Sequence, residues 1–237
     1  DYATRKLYDT PAYGVAFYHQ STIDDLLTRG LSLTFGIRYD YEHTSNDFLF
    51  YKETDGGSEQ MDAFDSRLKF SQVTPKIALQ YMFPSTGMLY ATVTKGYKTG
   101  GFNTSFDREE DRTFRPETSW NYELGAKHPF LDNRLNAEFC FFWIDWKNQQ
   151  IYQMLATQNG QYLRNAGRSE SKGVEVSLQG NPVNGLMVQV NYGFTHATFK
   201  DYKDERRGID YSGNFLPMAP RHTFAVGADY TIPNPCR

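Results

Sequence analysis

Cysteine is almost missing from this 237-residue chain: only Cys140 and Cys236 occur, far apart in sequence. Two such isolated thiols exclude a disulfide framework and match no zinc-ligand spacing. Cys140 reads as a small strand side chain. Long apolar runs are missing as well. The longest uncharged one is Phe139 to Ile144, far below the roughly 18 residues of a membrane-spanning helix. Charge of one sign is not in excess: 25 Lys and Arg face 28 Asp and Glu, for a net charge of −3. That balance gives no electrostatic case for nucleic acid. Asp1-Tyr2-Ala3-Thr4-Arg5 lacks the apolar stretch of a signal peptide, so the chain reads as cytosolic or as a piece of a longer precursor. His19, His43, His128, His196 and His222 stand singly, without metal-ligand spacing. No Ser-His-Asp or paired-carboxylate arrangement is placed by order alone, and the chain is not expected to be an enzyme or to hold a metal or cofactor.

Aliphatic residues are scarce too, and here the composition turns informative. Leu, Ile and Val total 33, fewer than the 35 Tyr and Phe. Aromatic and β-branched residues fit the pleated surface of a strand better than a helical core. So many aromatics also exclude a disordered chain. Period-two alternation confirms the strand reading. Leu31, Leu33, Phe35, Ile37 and Tyr39 share one face, with Ser32, Thr34, Gly36, Arg38 and Asp40 on the other. The same pattern holds for Leu186 to Thr195 and for Arg221 to Tyr230, and similar stretches occupy 12–22, 72–83, 88–97, 119–130, 134–148 and 171–181. About nine strands are predicted.

The links between them carry more information. Asp24–Gly30, Pro84–Gly87, Leu131–Arg134 and Pro182–Gly185 are short, while His43–Ser71, Thr99–Thr118, Gln149–Glu170 and Asp201–Pro220 are long. Short and long alternate throughout. In an up-and-down sheet alternate links lie at one end, so one end has tight turns and the other long loops. That asymmetry is typical of outer-membrane barrels. The faces agree: one is apolar with aromatic ends (Tyr39, Tyr41, Tyr81, Tyr230). The other carries Arg38, Asp40, Lys76, Gln80, Glu123, Lys127, Asn136, Glu138, Glu175 and Asp229. Such charges need water or partners, as in a wet or plugged lumen. A soluble β-sandwich would share the alternation but not the loop asymmetry.

Several segments then resemble a known family. Leu89-Tyr90-Ala91-Thr92-Val93-Thr94-Lys95-Gly96-Tyr97-Lys98-Thr99-Gly100-Gly101-Phe102-Asn103 resembles the strand and loop mouth of TonB-dependent outer-membrane receptors. Arg115-Pro116-Glu117-Thr118-Ser119-Trp120-Asn121-Tyr122-Glu123-Leu124-Gly125-Ala126-Lys127 resembles the next strand, and Phe130-Leu131-Asp132-Asn133-Arg134-Leu135 its periplasmic turn. Asn165 to Glu175, and Ser212-Gly213-Asn214 with Leu216-Pro217 and Ala219-Pro220-Arg221-His222, resemble two later segments. These blocks, in order, cover about 70 to 232. The resemblance implies an all-β, antiparallel up-and-down meander, about nine strands of a 22-stranded plugged barrel. Residues 1–237 are then part of a receptor barrel domain, with the plug, the first strands and the last strands lying outside them. The sheet's two open edges would expose unpaired backbone, which lipid does not tolerate, and Ile232-Pro233-Asn234-Pro235 reads as a periplasmic turn.

The implied function is import of a scarce ligand across the bacterial outer membrane, foremost a ferric siderophore, with energy supplied through TonB. Implied partners are the TonB complex, the plug domain, outer-membrane lipid and a small-molecule ligand. An anionic iron chelate would be met by arginines and tyrosines at the mouth. The candidates are Tyr97, Lys98, Arg108, Arg112, Arg115, Tyr152, Tyr162, Arg164, Arg206 and Arg207; the plainer reading of any one is a solubilising loop residue. Arg112, Arg115, Tyr152 and Arg164 are expected at the end opposite Pro84, Asn133 and Asn184. Other ligands for the same machinery (cobalamin, a glycan, haem) and a passive porin-like or structural barrel are the alternatives. Haem is disfavoured, because Phe114-Arg115-Pro116 lies away from the position of the haem receptors' box. Lys95 to Gly101 lacks the ending of a phosphate loop. The run Asp107 to Arg112 reads as a solvated loop with local ion pairs.

Overall fold

The computed structural model describes residues 3–84, 86–156, 160–165, 167–204 and 207–232. Among these residues nine strands cross one sheet in chain order. β1 is broken at Thr10-Pro11 into Ala3–Asp9 and Ala12–Ile23. β2 is Leu31–Thr54, β3 Gly57–Met82, β4 Met88–Lys98 and β5 Glu117–Phe130. β6 is Leu135–Lys147, β7 Arg168–Val183, β8 Leu186–Asp201 and β9 His222–Tyr230. Every strand pairs antiparallel with its sequence neighbours, the meander expected from the links. Both halves of β1 keep one register on β2, Asp9 opposite Asp47 and Ala12 opposite Thr44. Pro11 has no N–H to donate, which an edge strand tolerates, and its carbonyl still accepts from the Ser45 N–H at 3.0 Å.

No second layer among the described residues covers this sheet. Buried apolar side chains among the described residues are Phe48, Tyr162, Ala197 and Phe199. All four lie in the outer hairpins or at the outer end of β8, not in the middle of the sheet. The apolar face stays open instead, with Phe35 46%, Ile37 40%, Phe224 71% and Val226 60% exposed. A face of that kind is stable only against lipid, and the two-layer sandwich fails on it. Aromatic pairs mark its two ends: Tyr81 edge-on to Phe83 near the turns, and Tyr122 stacked on Trp143 near the loops. The opposite face is concave and polar. Register brings Gly125, Cys140 and Glu175 level across β5, β6 and β7, with Glu123 one inward-facing position away opposite Phe142, and Lys127 pairs with Glu138 at 2.9 Å. Arg38 grips Asp40 with two nitrogens at 2.6–2.9 Å.

The short links behave as turns. Leu131, Asp132 and Asn133 take left-handed φ of 53°, 54° and 68°, which Asp and Asn accept more readily than most residues. Gly30 sits at φ 85°, where a Cβ would collide with the Met82 carbonyl. All four long outer links depart from simple loops. His43–Ser71, expected as a loop, is mostly strand: β2 and β3 run 24 and 26 residues and pair down to Thr54 opposite Gly57. That is about twice the 9–11 residues of a tilted crossing, so this hairpin projects beyond the membrane. Its outer half lacks a regular apolar stripe: a short aromatic row of Tyr8, Phe48 and Phe64 is covered by other outer links while the rest meets water, which is why alternation alone did not reveal it. Three smaller hairpins cap the other long links: Gly101–Phe102 with Thr113–Phe114, Gln150–Met154 with Gln161–Asn165, and Lys203–Asp204 with Ile209–Asp210.

Candidate ligand site at the loop end

Main chain that leaves a sheet still needs hydrogen-bond partners. At the outer end side-chain amides supply them. Asn103 is 6% exposed; its Nδ2 donates to the carbonyls of Asp111 at 2.7 Å and Leu163 at 2.8 Å, and its Oδ1 accepts from the Leu163 N–H at 2.8 Å. Asn165 treats Arg115 as a neighbouring strand would. Its Oδ1 accepts from the Arg115 N–H at 2.8 Å, while Nδ2 donates to the carbonyls of Arg115 at 2.9 Å and Asn148 at 2.7 Å. Gln150 donates through Nε2 to the Thr99 carbonyl at 2.7 Å and the Arg115 carbonyl at 3.2 Å, and its N–H reaches Glu117 at 2.7 Å. These bonds tie the link 99–116 to the link 148–167.

Two further contacts extend the assembly. Gln153 donates to Asp204 at 2.9 Å, bringing in the link after β8. On the other side the Tyr8 hydroxyl donates to the Thr104 carbonyl at 2.6 Å, and the Arg112 guanidinium lies 3.6 Å from the centre of the Phe64 ring. The projecting hairpin and three outer links therefore form one connected canopy.

The canopy sorts the expected ligand residues. Tyr162 is 2% exposed and packs inside it. Arg112 is mostly covered, stacked on Phe64 and paired with Glu109 at 2.6 Å. Arg164 is also mostly covered and lies 3.8 Å from the buried Asp111, which Arg108 meets at 3.2 Å. Hydrogen bonding to Asp111 holds the Arg108 guanidinium above its ordinary range. Arg112 and Arg164 are thus not the exposed loop charges the sequence suggested; carboxylates and an aromatic ring already occupy them. Tyr97 is half-buried and donates to Glu42. Arg207 is exposed but lies 3.9 Å from Asp204. Arg206 lies outside the described residues. Tyr152, Lys98 and Arg115 remain exposed, and no ion pair to Lys98 or Arg115 occurs among the described residues. At the opposite end, Arg134 and Asn181 exchange a main-chain bond beside the Leu131–Arg134 turn, as do Thr231 and Gly185. The expected separation of loops and turns holds.

Residues that build the canopy went unrecognised in the sequence. Asn103, Asn165 and Gln150 sit in segments read for their resemblance or as loop, and Asp111 within a charge run. Their role depends on which carbonyls lie nearby, and spacing along the chain does not carry that.

The family described as "TonB dependent receptor-like, beta-barrel" matches residues 3–235. The chain belongs to that family. Its members are receptors of the bacterial outer membrane, not enzymes. The pesticin receptor of Yersinia pestis is 27% identical over 199 residues, covering 83% of this chain and 27% of that protein. The catecholate siderophore receptor Fiu of Escherichia coli O157:H7 is 25% identical over 225 residues, covering 86% and 28%. Among solved structures, the ferric yersiniabactin uptake receptor FyuA from Yersinia pestis superimposes with a TM-score of 0.74 at 21% identity, covering 98% of this chain and 33% of that one. This receptor chain spans about a quarter of the length of those curated relatives.

Proposed function

We propose that this TonB-dependent receptor chain is part of an outer-membrane importer of a ferric siderophore. The observation that carries the reading is the single sheet with a lipid-type apolar face, a charged concave face and a canopy of tied outer links. Relatives whose names specify catecholate and pyoverdine siderophores support the ligand class. Edge strands β1 and β9 pair on one side only among the described residues, and lipid penalises open backbone. The nine crossings are accordingly one sector of a larger, closed barrel of about 22 strands. Its lumen holds a plug, and its energy comes from the inner membrane through TonB. Glu123, Glu138 and Glu175 on the concave face outnumber Lys127 beside them and favour water or a basic partner in the lumen.

The test uses the full-length gene. Cells lacking their own siderophore receptors and expressing this one are given iron-55 as ferric citrate, a ferric tris-catecholate, ferric pyoverdine or a neutral ferric tris-hydroxamate. Uptake of at least one chelate that disappears when tonB is deleted supports the reading. Uptake indifferent to tonB assigns a passive barrel. No uptake of any chelate, with TonB-dependent uptake of cobalamin, haem or a glycan, reassigns the ligand.

A further inference from the structure

Of the candidate cations described at the mouth, all but two are already matched. Arg108, Arg112, Arg164 and Arg207 each lie within 4.0 Å of a carboxylate. Arg115 and Lys98 do not. They differ in how their backbone is held. Lys98 is the last residue of β4 and is held by the sheet alone. Arg115 lies between Phe114 and Pro116, outside any strand, yet both of its main-chain groups are saturated. Its N–H goes to the Asn165 Oδ1 at 2.8 Å, and its carbonyl accepts from the Asn165 Nδ2 at 2.9 Å and the Gln150 Nε2 at 3.2 Å. Pro116 fixes the following φ, and a residue before proline is held extended. An isolated loop residue has no need of so many constraints. Their effect is to immobilise the Cα of an exposed arginine whose guanidinium has no internal partner among the described residues.

We propose that Arg115 is the receptor's principal anion-reading residue, presented to the ligand by the side-chain amides of Asn165 and Gln150. This rests on the importer reading and sharpens it: the ligand carries negative charge, as carboxylates or catecholates around the metal, and a guanidinium offers such oxygens two parallel donors. Asn165 and Gln150 are positioning residues, because they touch the backbone of Arg115 and not the ligand. Preorganisation of this kind raises affinity by removing the ordering cost at binding. The ion-paired arginines nearby have the opposite task. Arg108 and Arg164 neutralise Asp111 and hold the canopy together.

The experiment measures iron-55 uptake by the full-length receptor with the four chelates above. Expected is uptake of an anionic chelate, with Arg115→Ala raising its apparent KM by about tenfold or more at unchanged maximal rate. Arg115→Lys should restore only part of the loss. Asn165→Ala should raise KM in the same direction, and Arg115→Ala with Asn165→Ala should be no worse than Arg115→Ala alone. Surface labelling of the canopy with the receptor intact reports that each variant is assembled. If wild type imports only the neutral tris-hydroxamate, or if Arg115→Ala leaves KM for the anionic chelate unchanged, the assignment to Arg115 is overturned while the importer stands. If the two substitutions add, Asn165 acts on the fold and not through Arg115. If wild type imports no chelate, the importer reading itself fails.

Discussion

Asn103 shows how much a single side chain can organise here. Its amide satisfies two carbonyls and one N–H on two different links, and it is almost fully buried. Asn103→Ala would strand those groups away from water, at about 1–3 kcal/mol for each that finds no new partner. The expected result is faster hydrogen exchange and proteolysis within 99–116 and 148–167, with the sheet's own protection unchanged. Equal protection of these links in wild type and variant would show that water replaces the amide. Arg112 is a second case, through a different force. Its guanidinium lies over Phe64 and within 5.2 Å of the Phe106 ring centre. Phe64→Leu keeps apolar volume but removes the ring face, and should loosen the projecting hairpin from the link 99–116 by about 0.5–2 kcal/mol. Cross-linking yield between cysteines placed at the hairpin and at Thr104 would report it.

At the scale of elements, alternation and turn chemistry were enough to find the nine crossings. Leu31–Tyr39, Leu186–Phe194 and His222–Tyr230 lie in lipid on one side and face the lumen on the other, so the physics itself has a period of two. The outer halves of β2 and β3 were not legible, since beyond the membrane only a short row around Phe48 and Phe64 is covered, by links distant in sequence, and the rest has no reason to segregate apolar residues. The candidate site was only partly legible. Composition located cations near the mouth, but which ones are already neutralised depends on Asp111, Glu109 and Asp204, contacts formed between links. The hairpin Lys203–Asp204 with Ile209–Asp210 offers a pH test at this scale. Hydrogen bonds from the Ser212 hydroxyl and N–H hold the Asp210 carboxyl below its ordinary range. A lowered value in the fold means the stabilisation is present above the ordinary carboxylate range and is lost as pH falls through the lowered value. Exchange protection at Ser212 should therefore vanish on acidification, and Ser212→Ala should move that loss to higher pH. Protection that is independent of pH through the acid range would remove the role assigned to Asp210.

For the whole molecule the decisive claim is that one face of a single sheet is solvated by lipid and the other by a wet lumen. Cys140 and Phe141 are adjacent near the middle of β6, and they test it against each other. Phe141 projects from the apolar face and is 44% exposed; Cys140 lines the concave face, level with Gly125 and Glu175, with Glu123 and Glu138 nearby. An arginine on the lipid face at mid-depth costs about 2–4 kcal/mol, because its charge has neither water nor a partner. At position 140 the same side chain would enter a concavity of about 580 Å³ bordered by three glutamates. Phe141→Arg should therefore lower the urea midpoint of the full-length receptor refolded in lipid vesicles, whereas Cys140→Arg should leave it nearly unchanged or raise it at low salt. Swapping lipid for a soluble, detergent-free buffer should leave neither variant folded. If Phe141→Arg and Cys140→Arg destabilised equally, the sheet would have two equivalent faces, and the barrel sector with its lumen would be wrong.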